Sequence, residues 1–138
     1  MYKDDILKKS SDFARDIFKK CSPELNFKFY GNNGRVIIEV SNLEELISAL
    51  QEIPAVIAHF HIYRSTTAGL FDSAPLDGPV IRSDIALWIN YVLGDSELSR
   101  RVYDAGTEES NPIKLKERVI NILKQREREL IDLLKKTA

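Results

Sequence analysis

Leu25-Asn-Phe-Lys-Phe-Tyr-Gly-Asn-Asn-Gly-Arg-Val-Ile-Ile-Glu-Val40 decides the fold class of this chain. Leu25, Phe27 and Phe29 alternate with Asn26, Lys28 and Tyr30, the period of two expected of a strand with one buried face. Gly31-Asn-Asn-Gly34 follows, and glycine and asparagine tolerate the positive φ that a hairpin turn requires. Val36, Ile38 and Val40 then alternate with Arg35, Ile37 and Glu39. A lone hairpin is marginal in water, so its apolar face must lie on something else.

The rest of the chain offers helices. Residues 4–20 carry Ile6, Leu7, Phe13, Ala14, Ile17 and Phe18 at helical spacing, with Lys19 and Lys20 in the last turn and Ser22-Pro23 as the stop. Ser41-Asn-Leu-Glu44 reads as a capping box, with the Ser41 oxygen accepting an N–H three residues on and Glu44 reaching back. Behind it Leu43, Leu46, Ile47 and Leu50 recur at i, i+3, i+4, i+7. Pro54 breaks that helix, and residues 55–64 read as a second one, with a strand as the competing reading. Residues 65–82, rich in glycine, proline, serine and aspartate, read as a long loop, a feature that in compact domains is functional or disordered. Ser83 caps a helix over 84–93 that Gly94 closes. Asp95 or Ser96 caps another to about 105, and a final helix runs over 113–135. The expected fold is α+β and mainly α: one antiparallel hairpin packed on five or six helices, as a single domain over 1–138.

Composition narrows the function classes. With 43% hydrophobic and 30% charged residues in 138, the chain can bury one core without staples. The lone Cys21 allows no intrachain disulfide, and it follows a helix C-terminus, where the dipole disfavours a thiolate. No apolar run approaches the roughly 20 residues of a membrane span, and the charged N-terminus is no secretory signal. A cytoplasmic protein without membrane attachment is expected. Residues 72–109 hold eight acids against three arginines, whereas 113–136 hold eight bases against four acids. These segments are expected to face one another, within the fold or across a dimer. The basic helix is the candidate for a nucleic-acid surface, but interleaved Glu117, Glu127, Glu129 and Asp132, and a pI near 6.1, weigh against it.

Site chemistry is sparse. The chain has no phosphate-binding glycine loop, nucleophile elbow, zinc-peptidase helix or cofactor motif. His59 and His61 are the only histidines. On a strand they would share a face and could ligate a metal together, whereas on a helix they diverge by about 200°. Asp84 and Trp88 lie one helical turn apart, an acid beside an aromatic wall. With His61, and with Arg64 or Arg82, they make the candidate ligand pocket. Each also has a structural reading: a buried histidine, a helix cap, a packed tryptophan. No catalytic residue and no cofactor are assigned. The last helix carries two apolar seams, Ile113-Ile120-Leu123-Leu130-Leu134 and Leu115-Val119-Ile122-Leu133, and so homodimerisation is expected.

Several pieces occur in the order of a known pattern: Gly34-Arg35, Ser41-Asn-Leu-Glu-Glu-Leu46, Ile53-Pro54 with His61 after it, Ser83-Asp-Ile-Ala-Leu-Trp-Ile89, Gly94-Asp-Ser-Glu-Leu98, and Leu115-Lys-Glu-Arg-Val119 through Arg126 and Leu130. Over residues 27–130 the chain resembles a prokaryotic domain-of-unknown-function family of small helical modules, the one numbered 5752. With no paired acid/base or nucleophile constellation in the sequence, a non-catalytic interaction or regulatory module is expected, and the resemblance implies an accessory role beside a carbohydrate-active partner. In the family pattern the histidine segment lies close before the Asp-x-x-x-Trp-Ile helix. Here residues 65–82 intervene, which leaves open whether His61 still meets Asp84 and Trp88.

Overall fold

The computed structural model describes residues 12–67 and 79–137. In chain order these form α1 (12–18), a 3-10 turn (Pro23–Leu25), β1 (Phe27–Tyr30), β2 (Val36–Val40), α2 (Leu43–Glu52), α3 (Ala55–Ile62), β3 (Arg64–Thr67), β4 (Pro79–Arg82), α4 (Asp84–Trp88) continued by a π-helical turn (Ile89–Leu93), α5 (Ser96–Glu108) and α6 (Pro112–Thr137). The architecture is α+β and mainly α, with the β1–β2 hairpin laid on helices. Residues 4–11 of the expected first helix lie outside the described residues, and Lys19 and Lys20 follow α1 rather than ending it.

The hairpin is antiparallel, with Phe27 opposite Val40 and Phe29 opposite Ile38, and Gly34 takes φ 76° in its turn. Only glycine adopts that conformation without strain. The strand begins at Phe27 rather than Leu25, because Pro23 starts a 3-10 turn that consumes Leu25. The register then slips between Phe29 and Tyr30, so Tyr30 faces Val36 and Ile37 has no opposite residue. Such a bulge reverses the alternation beyond it. Phe27, Phe29 and Val40 are therefore buried, while Val36 is exposed instead of sharing their face.

The segment 65–82 is not irregular at its ends. Arg64–Thr67 pairs antiparallel with Pro79–Arg82, Arg64 opposite Arg82 and Thr67 opposite Pro79. Ser65-Thr-Thr and Val80-Ile81 hold four β-branched residues, which favour extended backbone over helix or loop. Arg64 thus belongs to a second ladder, and α3 ends at Ile62. The 55–64 segment is otherwise helical, as the proline-led reading expected. Residues 68–78 of the expected loop lie outside the described residues.

Caps set the helix starts. Asn42, not Ser41, caps α2: its Oδ1 accepts the Glu45 N–H at 2.9 Å and its Nδ2 donates to the Phe18 carbonyl at 2.9 Å. Glu45, not Glu44, reaches back, with Oε1 accepting both the Ser41 N–H and hydroxyl at 2.8 Å. The box is displaced by one residue because Ser41 is still tied to the preceding segment, its carbonyl accepting the Cys21 N–H at 2.9 Å. Ser83 Oγ caps α4 through the Ala86 N–H (3.1 Å), and Asp95 Oδ1 caps α5 through the Leu98 N–H (3.0 Å). The expected single helix over 84–93 is α-helical only to Trp88, and Gly94 closes the π turn at φ 77°.

The long α6 packs on α2, α3 and α5. Its two expected seams converge on one buried face: Leu115, Val119, Leu123 and Leu130 are at most 2% exposed, whereas Ile113 is 62% exposed. The acidic and basic segments do meet within the fold. Asp95, 2% exposed, receives a forked pair from Arg126 Nε (2.7 Å) and Nη2 (3.2 Å). Glu129 accepts from Arg126 (3.0 Å) and Arg101 (3.1 Å), and Arg118 pairs with Glu108. Burial opposes the Arg126 charge, yet its bonds to Asp95 and Glu129 raise the guanidinium above its ordinary value.

Removing Asp95 deletes a cap and strands a half-buried guanidinium. Asp95→Ala is expected to destabilise the fold by about 3 kcal/mol. The exposed Glu97→Ala, run as a control, should unfold close to the wild type, because solvent screens its ion pairs. Urea unfolding followed by circular dichroism measures both, and equal effects would contradict the packing argument. The Arg101 hydrogen bond lowers the Glu129 carboxyl, and the Ser41 hydroxyl and N–H lower that of Glu45. Their stabilisation is fully present above the ordinary glutamate value and is lost as pH falls through the lowered folded values. Glu129→Gln should therefore flatten the stability–pH curve below about pH 4.3 and leave its slope unchanged at neutral pH.

Candidate functional site

His61 lies in the last turn of α3, Arg82 ends β4, and Asp84 and Trp88 occupy one face of α4. The structure brings these four together on a cleft of about 480 Å³ between β1, α3, β4 and α4. The open question of the intervening segment has a geometric answer. Its two ends pair in the β3–β4 ladder, so the chain returns beside its point of departure. His61 Nδ1 lies 3.8 Å from Asp84 Oδ2 despite the 22 residues between them in sequence. Arg64 stands opposite Arg82 in that ladder, and Arg82 lines the cleft.

The cleft floor is polar, and of its hydrogen-bonding groups His61 Nε2, Asp84 Oδ1 and the Trp88 indole are engaged, whereas His61 Nδ1 is not. The Tyr30 N–H, at the hairpin bulge, donates to His61 Nε2 at 3.2 Å. A neutral imidazole accepting at Nε2 carries its proton on Nδ1. Nδ1 is buried and has no hydrogen-bond partner among the described residues; Asp84 Oδ2 at 3.8 Å is too far for one. Arg82 Nε donates to Asp84 Oδ1 at 2.9 Å. The Trp88 indole N–H donates to the Leu25 carbonyl at 2.7 Å, pinning the 3-10 turn before β1 to α4. The His61 ring sits edge-on to Phe27, Phe29 and Phe60, with centroids 5.2–5.5 Å away.

This geometry bears on chemistry. The imidazole lone pair that a general base would use already accepts the Tyr30 N–H. Among the residues whose side chains are described, no serine, threonine or cysteine lines the cleft. Cys21 lies elsewhere, and burial holds its thiol above the ordinary value. His59 and His61 lie on a helix, α3, which turns the two rings to different faces, so the shared face that a strand would have given them is not formed. His59 instead lies against Tyr63, ring centroids 6.0 Å apart. Among the described residues no group of three His, Cys, Asp or Glu side chains is placed to hold a metal ion.

Residue-level reading of the sequence missed the rim. Tyr30, Phe60 and Leu87 line the cleft mouth and are 44, 48 and 41% exposed. Lys28 and Glu24 add charge beside them. Lys28 and Tyr30 are the outward alternates of β1, a signal present in the sequence, but nothing local says that α3 and α4 flank them. A second, basic groove of about 600 Å³ runs between α5 and α6, with Arg101, Lys114, Arg118 and Arg128 on its walls. Arg101 is bonded to Glu97 and Glu129, and Arg118 to Glu108. A phosphate backbone would have to displace those carboxylates. No helix among the described residues is long and apolar enough to cross a membrane.

The imidazole tautomer is directly measurable. Long-range proton–nitrogen correlation on uniformly labelled protein at neutral pH should show a protonated Nδ1 and an unprotonated Nε2 for His61. The opposite pattern would break the Tyr30 contact and restore the ring as a candidate base.

No curated protein and no solved structure matches this chain. A family model described as a family of unknown function (DUF5752) matches residues 27–137, from the first residue of β1 to the last of α6. The match takes in the hairpin, the bulge and all four cleft residues, and omits α1. The chain belongs to the family of unknown function DUF5752.

Proposed function

We propose that this domain is a non-catalytic recognition module that contacts a partner protein through the rim of the His61–Asp84–Trp88 cleft. One contrast carries the reading. Polar groups on the floor serve to hold hairpin and helices in place, while Tyr30, Phe60 and Leu87 remain more than 40% exposed at the mouth. Aromatic side chains beside an arginine, set on a rigid floor, are the composition of contact hot spots. The family resemblance suggests the setting, an accessory role beside a carbohydrate-active partner. A small-molecule ligand in the same cleft is the second reading, favoured by the convergence of His61, Arg82, Asp84 and Trp88 on one concave surface.

The test uses fragment-sized aromatic probes and soluble maltooligosaccharides titrated into labelled protein, with amide and Trp88 indole shifts as the readout. Aromatic fragments are expected to shift Tyr30, Phe60, Arg82 and Leu87, and Leu87→Glu to abolish those shifts without unfolding the domain. Saturable sugar binding at the same amides would favour the small-molecule reading. Glycoside, ester and phosphomonoester panels are expected to show no turnover. Turnover that Asp84→Asn removes would overturn the non-catalytic assignment.

A further inference from the structure

One edge of the β1–β2 hairpin opens into the cleft. Along β1 the side chains alternate, Phe27 and Phe29 buried and Lys28 and Tyr30 exposed. Main-chain N–H and carbonyl groups alternate with them, those of residues i and i+2 pointing to the same edge of the strand. Two hydrogen bonds fix which edge. The Gly31 N–H donates across the hairpin to the Arg35 carbonyl at 2.8 Å, so Gly31, Phe29 and Phe27 turn their main-chain groups toward β2. The Tyr30 N–H donates the other way, to His61 on α3 at 3.2 Å. Lys28 stands opposite Glu39 as a non-hydrogen-bonded pair, and its N–H and carbonyl point outward with the Tyr30 N–H.

That outward side is the cleft, which Lys28 lines together with Asn26, Tyr30, Phe60 and Leu87. Among the described residues, neither main-chain group of Lys28 has a hydrogen-bond partner. The edge is tethered on both sides of it, at Tyr30 by His61 and at the Leu25 carbonyl by Trp88. Between the tethers a donor and an acceptor of one residue are held ready for another strand, the pairing that any uncovered sheet edge invites.

We infer that the cleft takes an extended segment of a partner protein, which adds to β1 as a third strand through the Lys28 N–H and carbonyl. The inference rests on the partner-protein reading of the rim and names the form of that partner. A main-chain carbonyl of the segment accepts the Lys28 N–H, and a main-chain N–H of the segment donates to the Lys28 carbonyl. Backbone bonds of this kind supply affinity, and alternate side chains supply specificity. Those on the cleft side lie against Phe60 and Leu87, 48 and 41% exposed. The cleft walls carry Glu24, Lys28, Arg82 and Asp84, two charges of each sign. The groove beside the other edge, on β2, is lined instead by Glu39, Glu44, Glu45 and Glu52. The complement of the β1 edge is a segment without net charge, apolar on one face and rich in the β-branched residues that suit extended backbone.

Short random peptides displayed on phage and selected on this chain test it, with an enriched peptide then synthesised with blocked ends. Enriched sequences should be apolar and free of net charge. The bound peptide should shift the Lys28 and Tyr30 amides and slow hydrogen exchange at the Lys28 N–H. Lys28→Pro removes the donor and leaves the β1–β2 ladder intact, because that N–H takes no part in it. It should weaken peptide binding by about tenfold or more, whereas Lys28→Ala, which keeps the donor, should bind like the wild type. N-methylation of the peptide amide that faces Lys28 should weaken binding equally and leaves the protein untouched. Circular dichroism verifies that each variant folds. Binding that Leu87→Glu abolishes but neither Lys28→Pro nor N-methylation changes would overturn the added strand and leave the rim as a side-chain surface. No enriched peptide, or peptides that map away from the cleft, would overturn the inference and the rim reading together. A wild-type dimer that Lys28→Pro dissociates would assign the edge to a second copy of this chain and overturn the partner segment.

Discussion

A strand of four residues paired with one of five cannot hold its shape in water. Everything about the site follows from where that hairpin is fastened. Phe27, Phe29 and Val40 give it an apolar face, and burial of that face supplies the non-directional part of the attachment. Two hydrogen bonds supply direction. The Tyr30 N–H reaches His61 on α3, and the Leu25 carbonyl receives the Trp88 indole on α4. Because a buried amide without a partner is expensive, the bulge that frees Tyr30 from regular alternation is also what makes His61 necessary. Hairpin, α3 and α4 are locked at one junction, and the cleft is the outer surface of that junction.

The same residues therefore have their strongest roles in structure. His61 is 2% exposed, with its lone pair on Tyr30, and Trp88 is 7% exposed, with its indole on Leu25. A side chain held this firmly makes a good wall and a poor reagent. What stays exposed is the rim, which is apolar and aromatic with a few charges. A floor that does not rearrange keeps the ordering penalty of binding low, so a rim of modest area can still act as a contact surface.

Helix α6 applies the same division to charge. The cap carboxylate of α5 neutralises the inward-facing Arg126 guanidinium, and Glu108 of α5 pairs with the more exposed Arg118. Asp95 both caps α5 and receives the Arg126 fork, so one carboxylate fixes the start of one helix and its docking on another. The charges on the outer flank have no such duty inside the fold.

Periodicity was enough to locate the hairpin, the helices α2, α5 and α6 and the serine and aspartate caps, because apolar spacing and capping are set by residues within a few positions of one another. It also singled out His61, Arg82, Asp84 and Trp88 as chemically notable. Local pattern misplaced the α2 cap by one residue, since the choice between Ser41 and Asn42 depends on Phe18 and Cys21, some twenty residues away. It could not anticipate the β3–β4 ladder either, because pairing across an eleven-residue gap is a long-range event with no short-range signature. That ladder, with the packing of α4 on α3, returns Asp84 to His61. Which nitrogen of His61 holds the proton, and which charges of α6 are left unpaired, are likewise properties of contacts between distant segments. The sequence by itself determined the elements and their buried faces, because those depend on the chemistry of neighbours along the chain. Only the tertiary structure decided which polar groups are engaged and which face outward, because that depends on neighbours in space.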